Sequence, residues 1–386
     1  SLHIYFDDND TLRSAHTPAG LVRLCDIGRP VLAEEFGMST GLAAEEEQAA
    51  YFRTLLFSTW AAGAAGHLGW CWSDFATTNL PPYTHHPFEL FFGITRADGS
   101  EKPAAGEMRR FARLLAQVDA TRWAPAPPQA AILVPTTFYV NYPFRSVDRP
   151  RLLKTLLEAY TLARMAGFEA LFVREPALPP DGVRLLLVPF ADLLAPTWHE
   201  LQAWVEAGGV LWAGFGNAVP NLEELFGVRL ERVPRFLSPP QRERTEWRLV
   251  EPFGYAQDRP FSNLGAGERV AVPAADAPRL SIAPTTARTL AVDGNDRPAL
   301  TVHPVGQGKA FFCPRSLEWL LTSAAEPHRW STAHHLYRAL RSEAGIVPDF
   351  EAAQPVLSLS VRVMAYGTQL LVAINHGDAA LEGAVR

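Results

Sequence analysis

The first 118 residues alternate between short apolar runs with a period of two and longer stretches with helical spacing. The predicted strands are 2–6, 30–35 and 67–75, and the predicted helices are 17–26, 43–62 and 103–117. The alternation places His3 and Tyr5 on one face of the first strand, and Trp70 and Trp72 on one face of the third. Strands that alternate with helices predict a parallel sheet or barrel, of which only the last part is present.

A second pattern follows a proline-rich linker at 119–128. Its predicted strands are 129–135, 170–173, 183–189 and 210–214, and its predicted helices are 149–166 and 197–207. Aliphatic strands separated by helices are typical of a small doubly wound sheet of flavodoxin-like type. We therefore predict three domains, which are a barrel part at 1–118, a flavodoxin-like domain at 129–348 with a β-rich insertion near 230–300, and a truncated β-sandwich at 349–386.

The composition is that of an ordinary globular protein. The chain has 386 residues, of which 48% are hydrophobic and 20% charged, and a net charge of −6. This balance argues against nucleic acid or an anionic membrane as a partner, because either would require a clustered basic face. No run of 18 apolar residues occurs, so no membrane-spanning helix is predicted.

Both ends of the chain lie inside predicted strands, and the first residue is Ser1 rather than methionine. We therefore expect this chain to be a fragment of a longer protein. The cellular localisation is left open by the sequence, with the cytoplasm slightly favoured.

The residues that most often bind metals are poorly arranged for that purpose. Cys25, Cys71 and Cys313 are far apart and have no CxxC or CxxH spacing, so neither a disulfide framework nor a zinc site is predicted. The neighbouring His85 and His86 have no third ligand at metal spacing. We expect no metal and no cofactor.

The stretch Pro-Val-Leu-Ala-Glu-Glu-Phe-Gly at 30–37 ends a predicted strand with two carboxylates and then turns. A parallel α/β barrel carries its chemistry at that end of its strands. By simple alternation Glu35 shares the inward face with Ala33 and Val31, whereas Glu34 points toward the helical layer or a neighbouring strand end. Glu35 is therefore the favoured candidate for a reactive carboxylate, and Glu34 is the alternative.

Three local motifs in order resemble the C-terminal half of a retaining glycoside hydrolase barrel of the cellulase and mannanase family, glycoside hydrolase family 5. His-Ile-Tyr at 3–5 is similar to the His-x-Tyr that ends strand six of that family. The stretch 30–37 resembles its strand seven, and the tryptophan-rich stretch 70–75 resembles its strand eight. The resemblance implies the C-terminal part of a (β/α)8 TIM barrel, followed here by the flavodoxin-like domain and the start of a β-sandwich.

The resemblance also implies a reaction and roles for the candidate residues. Glu35 would act as the nucleophile of a double displacement, with a protonated second carboxylate about 5 Å away. Tyr5 would hold Glu35 ionised and oriented, and His3 would support that contact or bind a sugar hydroxyl. Trp70 and Trp72 would stack against a sugar ring. Packing inside the barrel is the alternative role for His3, Tyr5 and both tryptophans.

The loop after the third strand supplies the remaining candidates. Asp74 and His85 complete the predicted substrate-binding residues, and Asp74 lies in a Ser-Asp-Phe motif that several relatives of the family share. The rest of the loop is expected to line the cleft through Tyr83, His86, Phe88 and Glu89.

The second acid of the reaction is missing from this sequence. In the resembled family it is a glutamate preceded by asparagine at the end of strand four, and no Asn-Glu pair precedes Glu35 here. We expect the general acid to lie outside this chain, so that this chain alone is inactive. The implied substrate is a β-linked oligo- or polysaccharide.

Two alternatives remain open. The stretches 185–189 and 204–211 resemble the amidotransferase-like trimerisation domain that is appended to β-galactosidase barrels, which favours a β-galactosidase similar to glycoside hydrolase family 42. No cysteine lies between Cys71 and Cys313, so the second domain lacks an amidotransferase nucleophile, and we expect it to be structural or to mediate a homo-oligomer. The other alternative is a non-catalytic carbohydrate-binding or scaffold protein with a degenerate barrel.

Overall fold

The computed structural model divides the chain into two compact units. The first comprises residues 1–126 and 357–381, and the second comprises 127–356 with 382–386. The structure describes all residues except 120–121, 144–145, 178–180, 233–243, 255–263, 275–280, 353, 365–366, 378 and 382–386. Among the described residues, no helix is both long enough and apolar enough to cross a membrane.

The first unit begins with a three-stranded parallel sheet and the helices that cover it. Its elements are β1 (Leu2–Ile4), α1 (Thr11–Leu24), β2 (Val31–Phe36), α2 (Glu45–Ala61), β3 (Ala64–Gly69), α3 (Pro103–Val118) and the two-residue β4 (Ala124–Pro125). Strand β2 lies in the middle and pairs in parallel with β1 and β3. The predicted rhythm of strand and helix is therefore present.

Two boundaries in this unit differ from the predicted ones. Helix α1 starts at Thr11 rather than at residue 17, because the Asp10 carboxylate caps it and accepts hydrogen bonds from the backbone N–H groups of Leu12 and Arg13 at 3.1 and 3.3 Å. Strand β3 ends at Gly69, so Trp70 and Trp72 lie beyond the strand and not on it.

The core of the first unit lies between the sheet and the helices α2 and α3. Ile4, Phe36 and Phe52 are 0–1% exposed and belong to one apolar cluster with Phe111 of α3. The phenol of Tyr51 on α2 donates to the carbonyl oxygen of Ile4 at 2.7 Å. Helix α2 therefore holds the carboxyl end of β1 directly before Tyr5.

The second unit contains a nine-stranded sheet, a separate pair of strands, and helices. Its strands are β5 (Ala130–Val134), β6 (Ala170–Arg174), β7 (Leu185–Ala191), β8 (Val210–Phe215), β9 (Val228–Arg232), β10 (Arg244–Leu249), β11 (Arg269–Pro273), β12 (Ser281–Pro284), β13 (Arg288–Val292), β14 (Pro298–Val305) and β15 (Gly308–Cys313). Its α-helices are α4 (Arg149–Met165), α5 (Ala195–Glu206), α6 (Leu222–Phe226), α7 (Leu317–Leu321) and α8 (His334–Glu343).

Five neighbouring strands of the large sheet are parallel and run in the order β6-β5-β7-β8-β15. In chain order this is 2-1-3-4-5, the order of one common doubly wound fold. On the other side of β15 the sheet continues antiparallel through β14, β13, β10 and β11, while β9 and β12 form a separate pair. The polar, proline-rich region near 230–300 thus contributes edge strands to this sheet.

The last two strands are β16 (Leu357–Val363) and β17 (Gln369–Asn375), which form an antiparallel sheet in the order β17-β16-β4. Leu370 and Val372 pack against the core of the first unit, and the Arg362 guanidinium lies 4.6 Å from the centre of the Trp60 ring. The predicted division at 349–386 differs from this arrangement, because residues 357–381 form one unit with residues 1–126.

A buried carboxylate lies at the carboxyl ends of the parallel strands of the second unit. This is the place, between β5 and β7, where the order of the strands reverses. Glu175 follows β6 and is 1% exposed, and it accepts hydrogen bonds from the backbone N–H of Thr136 at 2.6 Å and from the Thr197 hydroxyl at 2.8 Å. It also accepts one from the backbone N–H of Leu194, the residue before α5. Doubly wound sheets bind anionic ligands at this edge and at helix N-termini. Here a side chain of the protein itself accepts the hydrogen bonds at this edge.

A Glu175→Ala variant should lower the free energy of unfolding by about 3 kcal/mol, because three donors at a buried site lose their acceptor. Urea titration followed by tryptophan fluorescence measures this loss. The matched control is Glu200→Ala on the exposed side of α5, which should stay within about 0.5 kcal/mol of the wild type. Equal losses in both variants would contradict the assignment.

A second buried carboxylate gives the same unit a pH-dependent stability. Glu318 is 0% exposed, and its Oε1 accepts hydrogen bonds from Trp212 Nε1 at 2.8 Å and from the Tyr337 hydroxyl at 2.6 Å. Burial outweighs these bonds and raises the pKa of Glu318 from 4.5 to about 7. Between these values the unfolded chain loses a proton that the folded chain keeps, so this group's contribution to stability is full below pH 4.5 and declines as the pH rises to about 7.

A Glu318→Gln variant should therefore gain stability relative to the wild type between pH 5 and pH 8, by roughly 3 kcal/mol over the whole range. Hydrogen exchange of the β8 amides at several pH values measures the opening free energy of this unit. Parallel pH curves for the two proteins would show that Glu318 does not ionise in this window.

Candidate functional site

An extra residue in β2 sets the direction of the candidate acid. Against the adjacent β1, the paired residues are Leu2 with Ala33, His3 with Glu35, and Ile4 with Phe36. Two steps along β1 thus correspond to three along β2, which is a β-bulge with Glu34 as the additional residue. Glu35 consequently lies beside His3, on the opposite face of the sheet from Ala33.

This register corrects part of the prediction. Ala33 is 0% exposed and belongs to the apolar cluster formed with α2 and α3, so it faces the helices and does not share a face with Glu35. The prediction assumed unbroken alternation, and the bulge breaks it. The predicted neighbours of Glu35, namely His3 and Tyr5, are nevertheless the residues that lie next to it.

The closest contact at the site joins Tyr5 and Glu35. The Tyr5 hydroxyl donates a hydrogen bond of 2.6 Å to Glu35 Oε1. Partial burial and this bond raise the pKa of Tyr5, so the phenol remains a protonated donor across the physiological range. A phenol that donates to a carboxylate stabilises the charged form of the acid and fixes its rotamer. The ring of Tyr5 is held edge-on by Phe92 with a centroid distance of 5.9 Å.

His3 lies between the two glutamates. Its Nδ1 is 3.7 Å from Glu35 Oε2, and its Nε2 is 3.8 Å from Glu34 Oε2. The Glu35 side chain is 32% exposed, compared with 45% for Glu34 and 59% for His3. Glu35 is therefore the more enclosed acid and the one with a direct hydrogen bond.

The two tryptophans follow β3 as an irregular segment with exposed rings. Trp70 is 39% exposed and Trp72 is 75% exposed. The backbone N–H of Trp70 donates to the carbonyl oxygen of Phe36 at 2.7 Å, and the peptide bond after Trp70 is cis. Beyond this point the segment bonds to residues 90–95, as in the 3.0 Å bond from the Thr95 N–H to the Trp72 carbonyl. Both residues are accessible to a ligand, although the strand β3 ends at Gly69 and does not extend over them as predicted.

The predicted Asp74 is not exposed to a substrate. Its side chain is 9% exposed, and its Oδ1 accepts hydrogen bonds from Lys102 Nζ at 2.8 Å and from the Gly93 N–H at 2.9 Å. Both contacts lie within the protein, which differs from the predicted substrate-binding role. The sequence offered no sign of this, because Lys102 is 28 residues away.

His85 does not join the acid pair. It is exposed, its Nδ1 contacts Nδ1 of His86, and no described hydrogen bond or ion pair links it to Tyr5 or Glu35. Within the described part of the chain, no group of three or more His, Cys, Asp or Glu residues could hold a metal ion.

A further carboxylate lies near the site. Glu89 belongs to a short 3-10 helix, Pro87–Phe91, and its side chain is only partly buried. The residue after this helix is Phe92, whose ring contacts that of Tyr5, and the charge of Glu89 contributes to the raised pKa of Tyr5. From sequence it was one of several loop residues expected to line the cleft. The position of this loop is set by tertiary hydrogen bonds to residues 71–75, which no local pattern reveals.

Comparisons with known proteins identify the fold. No protein-family model matches the chain, and no curated protein matches it significantly. Among solved structures, it is similar to the exo-β-1,4-mannosidase Op5Man5 from Opitutaceae bacterium strain TAV5, with a TM-score of 0.62, 22% identity, and coverage of 87% of this chain and 56% of that one. It is also similar to the β-galactosidase from Bacillus circulans sp. alkalophilus, with a TM-score of 0.69, 14% identity, and coverage of 97% and 54%.

A β-galactosidase from Rahnella sp. R3 has the same TM-score of 0.69, with 14% identity and coverage of 97% of this chain and 54% of that one. The chain therefore has a mixed α/β fold found in glycoside hydrolases. It spans only about half the length of these solved structures.

The turn that follows the acid provides a test of this geometry. A Cβ atom on Gly37 would lie 2.2 Å from the carbonyl oxygen of Trp70, so Gly37→Ala should force the two loops apart and lower the free energy of unfolding by about 1–3 kcal/mol. Gly106→Ala in α3 is the matched control, since a Cβ there meets nothing within 4 Å and should stabilise the helix by up to about 1 kcal/mol. Thermal unfolding of both variants measures the difference, and a stable Gly37→Ala protein would contradict the close approach.

Proposed function

We propose that this chain forms the C-terminal part of the barrel of a retaining β-glycoside hydrolase, together with an accessory domain, and that Glu35 is its nucleophile. The observation that carries this proposal is the 2.6 Å hydrogen bond from Tyr5 to Glu35 at the carboxyl end of a parallel strand. An oriented and partly exposed carboxylate is what attack on a sugar requires. The fold shared with a mannosidase and with β-galactosidases supports it.

The reaction would proceed by double displacement. A carboxylate oxygen of Glu35 attacks the anomeric carbon as the glycosidic C–O bond breaks, and an acid outside this chain donates its proton to the departing oxygen. Water then loses a proton to that same residue and attacks the anomeric carbon, which releases the sugar and frees Glu35. The Tyr5 hydroxyl keeps Glu35 in its attacking rotamer before the first step and receives it again after the second.

The substrate class follows from the exposed groups beside Glu35. The rings of Trp70 and Trp72 offer apolar faces on which a pyranose can stack, as proposed from sequence. Glu89 and His3 supply polar groups for its hydroxyls. We assign the substrate to β-linked carbohydrates, and His85 and Asp74 are not part of this proposed surface.

The second unit favours one alternative within the same class, a β-galactosidase similar to glycoside hydrolase family 42. The β-galactosidase structures cover 97% of this chain, compared with 87% for the mannosidase. We propose that the second unit is a flavodoxin-like accessory domain with the strand order 2-1-3-4-5, and that its role is structural, including any contacts in a homo-oligomer. Glu175 already occupies the edge where a ligand would bind in such a sheet.

The nucleophile can be tested by trapping in the full-length protein. Incubation with 2-deoxy-2-fluoro β-galactoside and β-mannoside carrying a dinitrophenol leaving group should label the peptide that contains Glu35, as read by mass spectrometry. Glu35→Gln should abolish labelling and reduce hydrolysis of β-linked nitrophenyl glycosides by roughly three orders of magnitude or more.

Glu34→Gln is the matched control, because it removes the neighbouring carboxylate and should leave the label on Glu35. A label on Glu34, or hydrolysis retained in Glu35→Gln, would refute the assignment. Binding of β-linked oligosaccharides without any hydrolysis would favour the non-catalytic carbohydrate-binding protein instead.

A further inference from the structure

A buried lysine joins the three segments that surround the candidate sugar surface. Lys102 precedes α3, and its side chain is 1% exposed. Its Nζ donates to Asp74 Oδ1 at 2.8 Å, to Thr40 Oγ1 at 2.9 Å and to the carbonyl oxygen of Phe91 at 3.2 Å. An ammonium group has three donors, and here each has an acceptor.

The three acceptors belong to three different parts of the chain. Thr40 lies in the loop after β2, Asp74 in the segment after β3, and Phe91 at the end of the 3-10 helix that carries Glu89. We call this arrangement the Lys102 clamp, consisting of Lys102, Asp74, Thr40 and the Phe91 carbonyl. The segment after β3 is the one that carries Trp70 and Trp72.

The parts of the clamp have little freedom to shift. Asp74 also accepts the Gly93 N–H at 2.9 Å, and a Cβ on Gly93 would lie 2.2 Å from the Asp74 nitrogen. Removing one partner of a buried ion pair leaves an uncompensated charge that the surrounding structure must move to solvate. Loss of the Lys102 ammonium should therefore displace these loops rather than leave them in place.

The clamp does not contact the acid itself. Tyr5 bonds to Glu35 across β1 and β2, and the hydrogen bonds of Lys102 go to Asp74, Thr40 and the Phe91 carbonyl. The side-chain hydrogen bonds that hold the proposed sugar-binding segments are thus different from the one that holds Glu35. Their separation makes a role in positioning distinguishable from a role in the chemistry.

We propose that Lys102 is a positioning residue for substrate recognition, which holds Trp70, Trp72 and Glu89 in register with a sugar bound at Glu35. This inference rests on the proposed function. Asp74, expected from sequence to bind the substrate, acts in this arrangement through Lys102 and Gly93 and not by direct contact.

The test uses the full-length protein and two probes, p-nitrophenyl β-D-galactoside and p-nitrophenyl β-D-mannoside. On whichever probe the wild type hydrolyses, Lys102→Met should raise KM about tenfold while kcat, normalised to sites labelled at Glu35, stays within about threefold. Asp74→Asn keeps an oxygen acceptor for Lys102 and for the Gly93 N–H but leaves the ammonium charge unpaired, so its KM should rise by less than that of Lys102→Met. If Lys102→Met fails to fold, a raised KM in Asp74→Asn supports the proposal and an unchanged KM refutes it.

The matched control is Arg109→Met on α3. Arg109 forms an ion pair with Glu101 through a 2.7 Å hydrogen bond, but both side chains are more than half exposed, so its loss should leave KM unchanged. Hydrogen–deuterium exchange gives a second measurement that needs no activity. Lys102→Met should speed exchange in the segments 70–75 and 88–95 and leave the peptides of β1 and β2 protected.

The outcomes test the positioning role of Lys102 and the proposed function separately. If the wild type hydrolyses a probe and Lys102→Met has an unchanged KM, or has lost only kcat, the positioning role is refuted. The same holds if exchange rises equally in β1 and β2, which would indicate general destabilisation. If the wild type neither hydrolyses a probe nor is labelled at Glu35, the proposed function itself fails, whatever the exchange pattern shows.

Discussion

The single additional residue in β2 is the constraint on which the candidate site depends. A strand that alternated without interruption would place Glu35 on the same face as Ala33, and Ala33 lies in the apolar core against the helices. A carboxylate on that face would have to be buried without a partner, at a cost of several kcal/mol. The bulge at Glu34 turns Glu35 to the opposite face, beside His3 and within 2.6 Å of Tyr5, while Phe36 returns to the core. One inserted residue thus serves both the packing and the chemistry.

The enclosed carboxylates of the chain have different surroundings, and the contrast supports the proposal that Glu35 is the nucleophile. Glu175 accepts hydrogen bonds from three donors of the protein. Asp74 is neutralised by a buried lysine. Glu318 has its pKa raised to about 7 by burial, so it holds its proton under mildly acidic conditions. Glu35 accepts one hydrogen bond at Oε1 and has a partly exposed side chain, which suits the proposed role of nucleophile.

Periodicity predicted most elements of this fold, but local pattern could not predict contacts between distant segments. The aliphatic strands β5 to β8 were found at nearly their observed positions, because burial on both faces leaves a continuous apolar run. Apolar spacing predicts the start of helix α1 at residue 17 rather than at Thr11, because the Asp10 cap lies outside the apolar pattern. Strand β16 joins the first unit by pairing with the two-residue β4, which lies about 235 residues earlier in the sequence. Neither segment carries a local sequence pattern that predicts this pairing.

The same limit applies to the site. Glu35, Tyr5 and His3 could be predicted together because each lies at the end of a strand, where a short motif carries the information. Asp74 was assigned to the substrate because its motif resembled a family pattern, yet its partner Lys102 lies beyond the intervening loop. Local motifs therefore identify which residues end the strands. They do not reveal which of those residues form contacts within the protein rather than with a substrate.

The proposed nucleophile lies at a strand end, whereas the proposed sugar-binding residues lie in the segments that follow the strands. This arrangement suggests how a barrel of this kind can bind a different sugar and catalyse the same reaction. The proposed nucleophile depends on β1, β2 and the Tyr51 bond to Ile4, all within the packed core of the first unit. The proposed sugar-binding groups Trp70, Trp72 and Glu89 lie on segments after the strands, joined through Lys102 and a few backbone bonds. Under the proposed function, changes in those segments would alter affinity with little movement of Glu35, because the two sets of contacts share few members. The proposed reaction then depends on the sheet, and the proposed selectivity depends on the segments at its edge.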